Sequence, residues 1–177
     1  MSGRTNCIER AGHILILINW IQGRLVDFII FKKHPRALSH FIKNNSSPKL
    51  GRERRKYWQK SFAAIRGEFA SLFPNLPSNW LPLLDDLNNK RDMIAHGHIS
   101  LYRDYVLYQP DMGRKDIHKK LKGIRRAIDG RVTKMTCFRL RFDDKNYQAM
   151  IKGILEFDEK LFPALSKDIG INYEKIR

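Results

Sequence analysis

Arg91, Asp92, His96 and His98 are the residues whose types and spacing best suit chemistry. They fall in or next to the run Leu87-Asn88-Asn89-Lys90-Arg91-Asp92-Met93-Ile94-Ala95-His96-Gly97. Histidine is the side-chain type whose ordinary pKa lies near neutrality, which suits a general acid or base. An arginine stays charged and offers a planar fork for phosphate oxygens, strongest where charge develops in a transition state. Asp92 and His96 are four apart, on the same face of a helix, so the carboxylate could orient the imidazole. Arg91 and His96 are five apart and diverge by about 140° on an ideal helix. One chain presents that pair poorly, a physical reason for a second copy or a distorted helix end. His98, two residues on, is the alternative proton-transfer group. The same residues also fit a helix end whose Arg and His satisfy carbonyls and offset the dipole. His96, His98 and the distant His118 offer imidazoles to a metal, but no carboxylate or cysteine stands at a recognised spacing. The sequence contains neither a phosphate-cradling glycine loop nor a Gly-x-Ser-x-Gly elbow. No metal and no cofactor is expected.

The elements that must position these groups read as helices. Ile14, Ile18, Ile21, Leu25 and Phe28 recur at helical spacing, and Leu15, Leu17, Ile29 and Ile30 widen the apolar surface. Such a helix needs neighbours on more than one face, in a bundle or at a dimer contact. The stretch 12–31 also contains Arg24 and Asp27, each costing about 2.5–3.5 kcal/mol near a membrane centre. It therefore reads as a buried helix with the two charges paired at i,i+3, and no membrane association is expected. A short helix fits 37–42. A second long helix is expected over 53–73, with Trp58, Phe62, Ile65, Phe69 and Leu72 on one stripe. A third runs over 79–95, after Ser78 as N-cap, carrying Leu83, Leu84, Leu87, Arg91 and Ile94. Gly97 is its natural stop. The period then changes, and 99–108 and 132–142 read as strands. Between them Ile117, Leu121, Ile124 and Ile128 mark a short amphipathic helix. A last helix spans 143–165, with Asp143 and Asp144 at its positive end. The expected architecture is mainly all-α: an up-and-down helical bundle of four main helices, with a small β-hairpin-like basic insert over about 99–142. The whole chain, 1–177, reads as a single domain.

Composition places the chain among folded proteins, with 42% hydrophobic and 11% aromatic residues. Its formal net charge of +16 favours a polyanionic partner. The cations cluster at Lys32, Lys33 and Arg36; at Lys49, Arg52, Arg54, Arg55 and Lys56; and from Arg114 to Lys134, a stretch that includes Lys119, Lys120, Lys122, Arg125 and Arg126. Phosphate contacts from such groups give affinity without sequence readout. Tyr102, Tyr105 and Tyr108 either stack on unpaired bases or serve as ordinary strand residues. Cys7 and Cys137 exclude a disulfide framework by count, and a reducing, cytoplasmic compartment is the natural reading. The N-terminus lacks the pattern of a secretory signal.

The Arg91–Gly97 run and the order of four main helices resemble the HEPN family. Its members carry Arg, a polar residue, three further residues and His near the end of the third helix. The likeness covers most of the chain outside 99–142. The resemblance implies a metal-independent endoribonuclease of toxin–antitoxin or defence systems, active as a homodimer with two motifs facing each other. It implies Arg91 and His96 as the catalytic pair, Asp92 as the polar second residue, RNA as substrate and an antitoxin protein as a partner. Some members carry Tyr two residues after the His, modified by an antitoxin. His98 stands there instead, so that regulation is not implied. RNA suits such a site because its own 2′-hydroxyl can attack, leaving the protein only proton transfer and charge stabilisation to supply. The second reading, from a different class, is a non-catalytic nucleic-acid-binding or adaptor protein on the same bundle.

Overall fold

The computed structural model of the chain describes residues 6–44, 47–99, 103–109, 126–127 and 137–176. It is mainly α-helical, with one small sheet. Helices α1 (Asn6–Lys33), α2 (Pro35–Asn44), α3 (Pro48–Tyr57), α4 (Phe62–Leu72) and α5 (Trp80–His96) come first. Strands β1 (His98–Ile99), β2 (Tyr105–Tyr108), β3 (Arg126–Ala127) and β4 (Cys137–Arg141) follow. The chain closes with α6 (Asp144–Glu156), a π-helical turn (Phe157–Leu161), α7 (Phe162–Asp168) and a 3-10 turn (Tyr173–Lys175). Contacts divide it into two compact units, residues 1–18 with 83–152 and residues 19–82 with 153–177.

In the unit of 19–82 with 153–177, every residue of α1 from Leu25 to Phe31 is buried. This is the all-round burial that its apolar surface calls for. By length and composition α1 also passes as a membrane-crossing helix, yet 56% of its most apolar window is buried inside the structure. Aromatic packing supplies much of the unit's core: Phe28 stacks on Phe162 at 5.5 Å and Trp80 meets Phe157 edge-on at 5.1 Å. Asp27, 5% exposed, needs a counter-charge. The expected Arg24 partner stands at 3.7 Å, but the closer one is Arg54, whose Nε and Nη2 donate to the carboxylate at 2.6 and 2.8 Å.

The helix expected over 53–73 is two helices. α3 begins at Pro48, capped by the Ser47 hydroxyl accepting from Leu50 N, and ends when Trp58 N turns back to Arg55 O at 3.3 Å. Ser61 then caps α4, its hydroxyl accepting from Ala64 N at 3.2 Å. Trp58, expected on the buried stripe, falls at this break and is 78% exposed. Phe62, Ile65 and Phe69 keep their places in the core. The last helix is likewise interrupted, by the π turn. There Asp158 turns inward and accepts from the Tyr173 hydroxyl.

In the unit of 1–18 with 83–152, the sheet is antiparallel with strand order β1-β2-β4-β3. The expected hairpin is its centre, β2 against β4. Val106 pairs with Leu140 and Tyr108 with Phe138, and Val106, Leu140 and Phe138 are buried. The helix expected to reach Ile128 does not include Arg126 and Ala127. They run antiparallel to Phe138 and Cys137, where the outer edge of β4 offers backbone partners. The rest of that expected helix, and the 132–136 part of the second expected strand, lie outside the described residues. Asp143 caps α6, accepting from Asn146 N at 2.9 Å, and that bond chiefly lowers its pKa. Arg10 of α1 ties this helix start down, donating to Phe142 O at 2.7 Å and to Asp144.

Glu68 accepts from three side chains. Tyr57 Oη and Lys60 Nζ each donate to it at 2.7 Å, and Lys33 donates as well. Burial alone would raise its pKa, but these hydrogen bonds outweigh burial and bring it down to about 2. The folded carboxyl thus releases its proton more readily than an unfolded one near 4.5. Its stabilising contribution is complete above that value and is lost as pH falls toward 2. Unfolding free energies at about pH 5 and about pH 2.5 should differ less in Glu68→Gln than in the parent. An equal difference in both proteins would remove Glu68 as an acid-sensitive centre.

Candidate active site

The candidate catalytic residues Arg91, Asp92, His96 and His98 all belong to the unit of 1–18 with 83–152. On α5, Leu84, Leu87 and Ile94 are buried, at 0%, 5% and 7% exposure, and Met93 at 0%. Arg91 lies in register with this stripe, between Leu87 and Ile94 at helical spacing of four and three. Its side chain is 33% exposed, and its Nε is buried with no hydrogen-bond partner among the described residues. A guanidinium on an apolar stripe, half sunk and with one N–H unpaired, carries a desolvation cost that helix-end capping would not demand. Its fork points an Nη1 at Asp92 Oδ1, 3.4 Å away.

His96 is the last residue of α5 and His98 begins β1, and both are exposed. Asp92 does not orient His96 as their spacing suggested: no hydrogen bond joins them among the described residues, and the Asp92 carboxylate faces Arg91 instead. Arg91 and Asp92 are therefore brought together, while among the described residues no hydrogen bond or ion pair joins His96 or His98 to either.

Gly97 fixes where the helix stops. It follows directly on His96, the last residue of α5, as the sequence suggested, and its role is not a positive φ, which among the described glycines only Gly170 has. The requirement is space. A Cβ on Gly97 would lie 2.2 Å from Met93 O, 2.3 Å from Val106 Cγ1 and 3.0 Å from Leu107 O. The end of α5 is pressed onto β2 through a glycine, and this contact sets the positions of His96 and His98 together.

Of the expected RNA-binding cations, Arg52 and Arg55 are exposed on α3. Arg54 commits its fork to Asp27, which raises its pKa, and Arg126 lies in β3. Lys119, Lys120, Lys122 and Arg125 lie outside the described residues, as do Tyr102 and His118. Tyr105 is 6% exposed and so is not free to stack on a base. Sequence reasoning missed what covers it. The Arg139 and Arg103 guanidiniums stand over its ring, at 4.4 and 5.5 Å from the centroid, and Arg103 also donates to its hydroxyl. The alternation Phe138, Arg139, Leu140, Arg141 was the available signal, because a period of two puts both arginines on one face.

A second group missed from the sequence stands at the start of α6, where His13 Nδ1 and Tyr147 Oη approach to 2.5 Å and Arg10 lies 4.9 Å over the tyrosine ring. In the other unit, a cleft of about 220 Å³ is lined by Lys33, His34, Glu53, Tyr57, Lys60 and Glu68. Its lysines are already paired with its carboxylates, Lys33 and Lys60 with Glu68. Among the described residues no three of His, Cys, Asp and Glu stand close enough to hold a metal ion. Comparison with family models, with curated proteins and with solved structures finds no match for this chain.

Gly97→Ala should displace the α5 end from β2. It should lower the melting temperature by roughly 6 °C or more, from about 3 kcal/mol of overpacking. A thermal midpoint within a degree of the parent would mean that the contact gives way without cost.

Proposed function

We propose that this protein is a metal-independent endoribonuclease of HEPN type, with Arg91 and His96 as its working pair. The observation that carries the reading is the placement of Arg91: a charge on a buried helix stripe, with an unpartnered Nε, one turn before an exposed histidine at the helix end. In the reaction the RNA 2′-oxygen attacks the adjacent phosphorus and forms a new O–P bond as the 5′-oxygen–phosphorus bond breaks. One proton leaves the 2′-hydroxyl for a base and another reaches the departing 5′-oxygen from an acid. His96 serves one of these transfers, with His98 as the alternative, and Arg91 holds the phosphate oxygens as charge builds on them. Asp92, set against Arg91, aims the guanidinium.

A single imidazole covers one proton transfer, so a second group is needed. The working form is a homodimer in which two copies of the α5 end face one RNA strand. The exposed apolar residues Ile8 and Ile16 on α1, at 45% and 67% exposure, give such a contact an apolar surface. In the cell this is a cytoplasmic toxin or defence effector, kept in check by an antitoxin protein. The alternative is a nucleic-acid-binding or adaptor protein on the same scaffold, favoured by the 3.4 Å Arg91–Asp92 contact, which partly neutralises the guanidinium.

Arg91→Ala and His96→Ala should each slow RNA cleavage by a factor of about 10² or more. Full activity in His96→Ala with loss in His98→Ala would move the role to His98. No effect from any of the three would leave the adaptor reading. Light scattering at micromolar protein should give the mass of two chains. A monomer that still cleaves RNA would remove the two-copy site.

A further inference from the structure

The strand register places a row of cations on the outer face of the sheet. His98 pairs with Leu107 and Leu107 with Arg139, while Tyr105 pairs with Arg141. Paired residues share a face, as do residues two apart on one strand. His98, Tyr105, Leu107, Arg139 and Arg141 therefore lie on one side, opposite the buried Val106, Phe138 and Leu140. Arg103, just before β2, reaches onto the same tyrosine ring. Two features make this face more than a generally basic surface. First, the Tyr105 ring holds two guanidiniums, those of Arg103 and Arg139, at 5.5 and 4.4 Å from its centroid. Second, Arg139 Nε is buried with no hydrogen-bond partner among the described residues, and Arg139 has no described carboxylate partner.

We propose that this face, formed by Arg103, Arg139 and Arg141 around Tyr105, seats the phosphate backbone of single-stranded RNA. An anion meets planar donors already held by the ring, and Arg139 Nε is buried without a hydrogen-bond partner among the described residues. Continuity with the α5 end supports the choice of occupant. His98 belongs to the same row, and two residues before it His96 ends α5. A strand lying across Arg139 and Arg141 would pass from there to the candidate site. The proposal rests on the RNA reading above and deepens it: the contacts are to phosphates, so this part of the surface selects for backbone and not for base sequence.

The test uses the whole chain and a short 2′-O-methyl oligouridine, which lacks the attacking hydroxyl and so reports binding without cleavage. Its affinity is measured over a series of salt concentrations for the parent, for Arg139→Gln with Arg141→Gln, and for Lys43→Gln with Lys167→Gln as an equal loss of charge elsewhere. The slope of log affinity against log salt should become shallower by about 1.4 in the sheet-face variant, from two lost single-strand phosphate contacts. It should stay near the parental value in the control. Arg139→Lys, which keeps the charge, should keep most of the slope and shows that the face still folds. A parent that binds while the sheet-face variant binds with equal slope would overturn the proposal and leave the RNA reading standing. An equal drop in the control pair would also overturn it. A parent that does not bind the oligonucleotide at any salt overturns both.

Discussion

At Gly97 the Met93 carbonyl and the Val106 side chain approach the backbone so closely that no methyl group fits. This contact joins the end of α5, where Arg91 and His96 sit, to the strands that hold His98 and the row of arginines. Strand pairing then transmits that position outward, from β1 to β2 to β4. His96 and His98 flank this close approach, because the helix stops there and the sheet starts there. A glycine is the only residue that permits it.

The charges of this strongly basic chain divide into two kinds by what they touch. Arg54 with Asp27, and Lys33 and Lys60 with Glu68, are neutralised within the fold and hold elements together. Arg91 and Arg139 are different, each with an Nε that is buried and lacks a partner among the described residues. Burying a donor without a partner costs free energy.

Much of the fold was legible because periodicity reports burial. The α1 stripe, the Phe62–Ile65–Phe69 stripe and the change of period after Gly97 each follow from side-chain spacing alone. What stayed hidden were breaks and partners. Nothing in the spacing of Trp58 distinguishes it from Phe62, and only the Ser61 cap, which starts a new helix, separates them. The Asp27–Arg54 pair spans 27 residues, and no local pattern encodes such a contact. In the site, the residue types and the helix end could be read directly. The turning of Asp92 toward Arg91 could not, since both Arg91 and His96 were within reach of a carboxylate at that position. The arginines around Tyr105 were half visible, in the alternation of β4 but not in its pairing with β2.

In the proposed reaction RNA is cut by its own 2′-hydroxyl, with only protons and charge supplied by the protein. The most direct measurement is the chemistry of the product ends after incubation of a labelled single-stranded RNA with the purified protein and a chelator. Attack by the 2′-oxygen leaves a 2′,3′-cyclic phosphate on one fragment and a 5′-hydroxyl on the other, and those ends are expected. Fragments bearing 5′-phosphate and 3′-hydroxyl groups, or RNA left intact at all protein concentrations, would contradict it.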